Sequence, residues 1–367
     1  MIYFDHNATT PLDERVIEAM LPYFNTFYGN PSALYRAGRV VRSAIDVARE
    51  QVATAVDVSA AQVIFTSGGT EANNLALKTV SSDLPIAFSA VEHPSIIEPA
   101  RKNRQRNDCF EISVDQNGLV SLSALEALFQ QQNKPAVVSI MLANNENGVI
   151  QDIESAAHLL KDKQVVLHTD AVQALGKIPV SFRKLGVNLM SLSSHKIYGP
   201  KGCGALVIDK DIAIEPLLVG GGQENNRRSG TENVAAIVGF GKAAELALLE
   251  LDQRTEHLLV LRNMLQQGLK SIPELVIFAE RVERIPNTVQ FGIPGIDGEM
   301  LLMQLDQKNI AVSSGSACTS GGGKASTVLT AMGIEYKFAK SAIRISLGQT
   351  NTETEVKQFI EVLKSLV

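Results

Sequence analysis

QVVLHTDAVQALGKIPVSFRKLGVNLMSLSSHKIYGPKGCGALVID, residues 164–209, holds three β-rich runs at Gln164–Thr169, Asn188–Ser193 and Ala205–Asp209. The first two are each followed by a polar cluster rather than by a tight hairpin turn. Upstream, strand-like runs recur at Gln62–Thr66, Pro85–Ser89 and Ala136–Leu142. Helical patterns fall between them at Thr70–Val80, Ser95–Asn103, Ser121–Gln131 and Asp152–Lys161. Apolar spacing switches from two in the strands to about 3.6 in the helices. Such alternation predicts an α/β fold with a mostly parallel central sheet and helices on both faces. A long helical stretch from Thr231 to about Lys270 breaks the rhythm, and shorter strands follow at Thr288–Phe291, Ile310–Val312 and Ala342–Ser346. The expected organisation is a large domain over 14–254 and a smaller α/β domain over 255–367. Residues 1–13 form an N-terminal arm free to pack with either.

The 367 residues are too many for one small core. With 45% hydrophobic and 20% charged residues the composition is that of a globular protein, and a net charge of −5 gives no electrostatic reason to expect nucleic acid or an anionic membrane. MIYFDHNATTPLDE at the start lacks a basic segment leading into an apolar run, so no secretory signal is expected. No apolar run approaches the 18 residues or so that a transmembrane helix needs. Cys109, Cys203 and Cys318 are too few for a disulfide framework and fit a reducing cytoplasm. Six scattered histidines, with no His-x-x-x-His or Cys-x-x-Cys pair, argue against a metal site.

In open α/β sheets ligands sit at the carboxyl ends of strands, so the polar residues found there carry the functional reading. After the first strand come Ser67-Gly68-Gly69-Thr70-Glu71, opening a helix. Glycines that admit an anion, next to free helix N-terminal amides, suggest a phosphate cradle, although the same residues often just start a helix. Neither a Walker lysine nor GxGxxG follows. His93, in Glu92-His93-Pro94, is either a local cap or an imidazole stacked on a flat ring. Asp170, with Gln173 three residues on, either caps a turn or pairs with a protonated pyridine nitrogen, keeping such a ring an electron sink. Asn144-Asn145-Glu146-Asn147-Gly148 reads as a turn. Lys196 ends an apolar strand just before Gly199-Pro200, where desolvation frees an amine to act as a nucleophile. Ser313–Ser326, SSGSACTSGGGKAS, has five Ser and four Gly in fourteen residues, and loops of this length in compact domains are usually functional.

These segments together resemble the cysteine desulfurase branch of the class V aminotransferases. The resemblance runs through FDHNATTP (4–11), GNPS (29–32), FTSGGTEANN (65–74), EHPS (92–95), NNENG (144–148), HTDAVQALGK (168–177), SSHKIYGPKG (193–202), RRSGTENV (227–234) and SSGSACTSGG (313–322). It implies a homodimer of fold-type-I subunits that binds pyridoxal 5'-phosphate (PLP) between domains. Lys196 matches the lysine that holds the cofactor covalently. Asp170 matches the partner of the pyridine nitrogen, His93 the ring-stacking histidine, and Gln173 the residue bonding the ring's phenolic oxygen. Gly69, Thr70, Ser193 and His195 match phosphate ligands, and Thr231 the phosphate ligand lent by the other subunit. Arg344 matches the arginine that grips the substrate carboxylate, assisted by Asn145. A guanidinium fork suits that task, although Arg344 alone would read as an arginine on an edge strand.

The implied reaction takes sulfur from L-cysteine, leaving L-alanine and a persulfide on Cys318, with His93 moving protons to the substrate thiol. The sulfur would pass to an acceptor such as an iron–sulfur scaffold protein. Cys109 and Cys203, beside strand-like runs, are expected to be inert core residues. Tyr35 stands where the family usually has histidine, and Gly-Gly-Lys-Ala-Ser follows the active cysteine where an acidic residue, Pro and Ser are common. The second departure bears on which acceptor docks. Selenocysteine lyase, or another class V PLP reaction, is the alternative.

Overall fold

The computed structural model describes residues 1–79, 84–102, 108–131, 134–314 and 325–367. In chain order its strands are β1 (Ile2–Tyr3), β2 (Val63–Thr66), β3 (Ile86–Ser89), β4 (Cys109–Ile112), β5 (Val137–Ser139), β6 (Val166–Asp170), β7 (Leu189–Ser193), β8 (Gly204–Ile208), β9 (Val276–Ile277), β10 (Thr288–Gly292), β11 (Ile310–Ala311) and β12 (Ile343–Ser346). Seven of them form one sheet in the order β2-β8-β7-β6-β5-β3-β4. The run from β4 to β7 is parallel, whereas β8 pairs antiparallel with both β7 and β2. Residues 194–203, between β7 and β8, are fewer than the dozen or more that a parallel crossover needs, so β8 returns alongside β7 in the opposite sense. β1, β4 and β9 are additional to the strands that periodicity predicts.

Helices cover this sheet because each carries an apolar stripe. Arg36–Ala55 buries Val41, Ile45, Ala48 and Val52, which fall on one face at helical spacing. The predicted helical stretch Thr231–Lys270 is two helices, Val234–Leu249 and Leu251–Lys270, separated at Glu250 (φ −104°, ψ 9°). The first places Ala236, Ile237 and Phe240 in the core under the seven-stranded sheet. The second places Leu258, Leu261, Leu265 and Leu269 in another core, with Val289, Phe291, Ile343 and Ile345 of the antiparallel sheet β12-β10-β9. The break at Glu250 hands the chain from one core to the other.

The N-terminal arm joins that second core. β1 pairs in parallel with β11, Ile2 opposite Ile310, and Ile2 and Phe4 are buried there. Beyond β1 the arm turns toward the other sheet, where Thr10 N–H and Oγ both donate to the His195 carbonyl at 3.0 Å. Cys203 lies in the core, as expected. Cys109, expected there too, is only half-buried, because β4 is an edge strand of its sheet.

Candidate active site

A cavity of about 310 Å³ opens where the carboxyl ends of the parallel strands face β12 and the arm. That size lies at the lower end of the usual range for small-molecule sites. Ten of the twelve residues singled out from the sequence line it: Gly69, Thr70, His93, Asn145, Asp170, Gln173, Ser193, His195, Lys196 and Arg344. Thr231 is exposed and lines a separate cavity with Arg228 and Cys203. Cys318 lies outside the described residues.

Asp170 is the last residue of β6, and its carboxylate is held at both oxygens. Oδ1 accepts from Val172 N–H at 2.9 Å and Oδ2 from Asn73 Nδ2 at 2.7 Å. Asn73 also donates to Ser95 Oγ at 2.8 Å. Ser95 lies 2.7 Å from His93 Nδ1 through its hydroxyl, and its backbone N–H donates to the same nitrogen at 3.1 Å. A ring nitrogen that accepts the amide hydrogen carries no proton itself, so His93 is neutral with its hydrogen on Nε2. Burial lowers its pKa; the Asp170 charge works against this and the Lys196 charge with it.

Lys196 ends the short turn after β7, and its Nζ donates to the carbonyls of Asn7 at 2.5 Å and Ala8 at 2.7 Å. His195 is pushed down to about 4, by burial first and then by Lys196 and Lys201, so it too is neutral. Its Nδ1 lies 3.1 Å from Thr9 Oγ1. Arg344, mid-strand in β12, is buried. It reaches Asp5 Oδ1 through Nη2 at 2.6 Å and the Asn145 carbonyl through Nη1 at 3.1 Å. Its Nε has no partner among the described residues.

At the other end the helix Gly69–Leu77 points its N-terminus into the cavity. Gly68 caps it with φ 155° and ψ 179°, a conformation essentially reserved for glycine, and among the described residues no side chain caps the free amides. A β-carbon on Gly69 would stand 3.0 Å from Val172 Cγ2 and 3.6 Å from Ser193 Cβ, filling the concavity. Ser193 Oγ, buried beside it, lacks a partner among the described residues. Free amides, an orphaned hydroxyl and a space kept clear by glycine fit a phosphate. At the opposite end a fixed carboxylate fits a protonated ring nitrogen, and between the two stands a lysine amine. The residues present therefore suit PLP. Among the described residues, no cluster of three or more His, Cys, Asp or Glu is arranged to hold a metal ion.

Several residues at the site were not singled out from the sequence. Asn73 lies one helical turn beyond Gly69 and Thr70, so its spacing could have placed it on the same face. Asn7, Asp5 and Lys177 gave no such signal. Glu92 and Glu146 are fully buried near the site. Burial, reinforced by the Asp170 charge, pushes Glu92 up to about 8; burial pushes Glu146 up to about 7, against the hydrogen bond from Ser326 and the charge of Arg344.

Comparison with known proteins agrees with this geometry. Residues 2–359 match the model for the aminotransferase class-V family. The chain is similar to a cysteine desulfurase IscS of Dictyoglomus turgidum, 42% identical over 100% of this chain and 94% of the relative. The cysteine desulfurase IscS of Methanosarcina thermophila is 41% identical over 100% and 92%. A NifS-like protein from Rickettsia africae superposes with a TM-score of 0.92 at 39% identity, covering 100% of this chain and 99% of that one. A structure of SspA in complex with cysteine gives a TM-score of 0.84 at 27% identity, over 96% of this chain and 100% of that one. With the family model spanning nearly the whole sequence and relatives this similar end to end, the chain belongs to the class-V aminotransferases and, within them, to the cysteine desulfurases.

Proposed function

We propose that this chain removes sulfur from L-cysteine with PLP, producing L-alanine and a persulfide on Cys318. The observation that carries the reading is the convergence of Lys196, Asp170, His93 and Arg344 on one cavity whose far end suits a phosphate. Bound PLP supplies an electron sink at the substrate Cα, and the chain's own groups set up the rest.

Arg344 receives the substrate carboxylate, with its orphaned Nε–H among the available donors and Asn145 beside it. Asp170, fixed by Asn73 and Val172, holds a proton on the ring nitrogen. Gln173 donates to the ring's phenolic oxygen. Gly69, Thr70, Ser193 and His195 hold the phosphate. Lys196 would hold the cofactor covalently, and its amine would take the proton from the substrate Cα. The Cys318 thiolate attacks the substrate sulfur: a sulfur–sulfur bond forms, the carbon–sulfur bond breaks, and the electron pair passes to the substrate carbon, which takes up protons to become alanine. Neutral His93, with its hydrogen on Nε2, suits proton traffic at the substrate thiol.

The working unit is inferred to be a homodimer in which Thr231 reaches the partner's phosphate. Supporting this, Leu34 is 89% exposed, Tyr28 84% and Phe24 66%, an unusual run of bare apolar side chains. The division into 14–254 and 255–367, with the arm 1–13, is supported by two large clusters of buried side chains that keep mostly to either side of it, while a smaller one, with Val91, Met141, Phe278 and Leu329, spans the boundary. The relatives named IscS favour an iron–sulfur scaffold as sulfur acceptor. No helix among the described residues is long and apolar enough to cross a membrane, which is compatible with a cytoplasmic enzyme.

The test is incubation with cysteine and no reductant. One added sulfur atom on the Cys318 peptide, with alanine released, is expected. Alanine formed at the wild-type rate by Cys318→Ala would exclude Cys318 as the acceptor and favour selenocysteine-lyase chemistry.

A further inference from the structure

Lys177 is buried, only 6% exposed, and its Nζ meets two amide oxygens rather than a carboxylate: Gln173 Oε1 at 2.6 Å and Asn7 Oδ1 at 3.3 Å. Burial, with the charges of Lys196 and Arg344, drives its pKa well below the usual lysine value. A methionine would fill the same volume without that desolvation cost. Both of its contacts are to acceptors, so the lysine serves here only as a hydrogen-bond donor.

We propose that Lys177 is a positioning residue that fixes which end of the Gln173 carboxamide faces the cavity. A carboxamide is nearly symmetric in shape and opposite in chemistry at its two ends, so its neighbours decide its orientation. Here Gln173 Nε2 donates to the Asn7 carbonyl at 3.0 Å while Oε1 takes the Lys177 hydrogen. A flipped amide would set oxygen against the Asn7 carbonyl and its NH2 against the lysine, both mismatches. In the observed orientation the second Nε2 hydrogen is left for the cavity that Gln173 lines. Serine, asparagine or water at the lysine's place would accept as readily as donate and would select neither end.

Lys177 also fixes the arm. Asn7 Oδ1 accepts from Lys177 and from Asn287 Nδ2 at 3.0 Å, leaving Asn7 Nδ2 to donate to the Asn145 carbonyl at 3.1 Å and Thr288 Oγ1 at 2.9 Å. The Asn7 carbonyl that receives both Gln173 and Lys196 is thereby held in place.

The inference rests on the reading that the cavity takes PLP with Gln173 donating to its ring oxygen. The experiment titrates PLP into apo-protein and records the cofactor's absorption band. It uses wild type, Lys177→Met, Gln173→Ala and the double variant. Lys177→Met is expected to weaken PLP binding about tenfold and shift the band, as a misdirected buried amide requires. In the Gln173→Ala background the same change is expected to do nothing further, and Lys177→Arg, also a pure donor, to restore the band. If Lys177→Met does not fold, Lys177→Gln replaces it, with the same loss expected because its amide selects neither end. An unchanged band and affinity on losing Lys177, or an equal loss with and without Gln173, overturns the proposal while leaving the cofactor reading intact. Wild-type protein that takes up no PLP overturns both.

Discussion

The seven-stranded sheet and the three-stranded sheet both furnish the cavity, but from different parts of their strands. In the parallel region Asp170 and Ser193 are the last residues of β6 and β7, and His93, Asn145, His195 and Lys196 lie in the turns that follow strands. The antiparallel region sends Arg344 from within β12, opposite Gln290 of β10. Ile343 and Ile345 on either side point into the core, so alternation alone turns Arg344 the other way. Its backbone also exchanges hydrogen bonds with Ser313, N–H to O at 2.6 Å and O to H–N at 3.2 Å. Turn residues bring varied chemistry close together, whereas a mid-strand residue brings one group whose backbone cannot shift. In the proposed reaction the first region carries the chemical steps and the second recognises a constant carboxylate.

The largest effect is expected at Lys196. Lys196→Ala should cut turnover by at least about 10³-fold and abolish covalent cofactor attachment. Borohydride reduction followed by peptide mass mapping checks the wild-type linkage; a label on Lys177 or any other lysine refutes the assignment. Next comes Asp170→Asn, expected to slow exchange of the substrate Cα proton with deuterium by about 10²-fold, with Asn73→Ala costing about tenfold. Near-normal exchange in Asp170→Asn would mean that this carboxylate merely caps its turn. Arg344→Lys tests the other region. Keeping the charge and losing the fork should raise KM for cysteine about tenfold with PLP retained. An unchanged KM would move carboxylate recognition elsewhere and undo the contrast between the regions.

The smallest effect concerns the seam between the sheets. There Glu146 accepts from Ser326 Oγ at 2.5 Å and from Gln290 Nε2 at 3.3 Å. Burial raises this carboxyl to about 7, above its unfolded value of about 4.3. Folding therefore favours the protonated form, and its stability contribution declines as pH rises between those values. In urea unfolding at pH 5 and pH 8, the change in stability with rising pH should be more favourable for Glu146→Gln than for wild type by on the order of 1 kcal/mol. Glu92, raised to about 8, pulls the same way in both proteins, while His6, His168 and His195, which burial holds down to about 4, 3 and 4, pull the opposite way in both. An identical pH dependence would show that Glu146 is already ionised in the fold.

The strand-end residues were legible because a β-run and the polar cluster after it are contiguous in sequence. Arg344 was not, taken alone. β12 is indeed an edge strand, where an arginine normally reaches solvent, yet the arm and Ser313 cover it. Pairing direction was legible only as mostly parallel, since the reversal of β8 depends on how short a connection can be, not on periodicity. Lys177 stands four residues from Gln173, but residues 172–177 form turns rather than a helix, so that spacing carried no warrant. Asn7 meets Gln173 across 166 positions and Ser346 across 339, separations that local pattern cannot see.

Those separations bear on synthesis. A segment made early must wait for one made much later: Asn7 N–H is satisfied by Ser346 Oγ at 2.9 Å, and β1 by β11. Closing loops of that length is slow, and N-terminal regions otherwise tend to fold first during translation. The nascent arm is therefore expected to remain undocked while the seven-stranded sheet assembles, and a chain stalled before β12 lacks the wall that completes the cavity. The cavity is therefore expected to be complete only once β12, which carries Arg344, has been made.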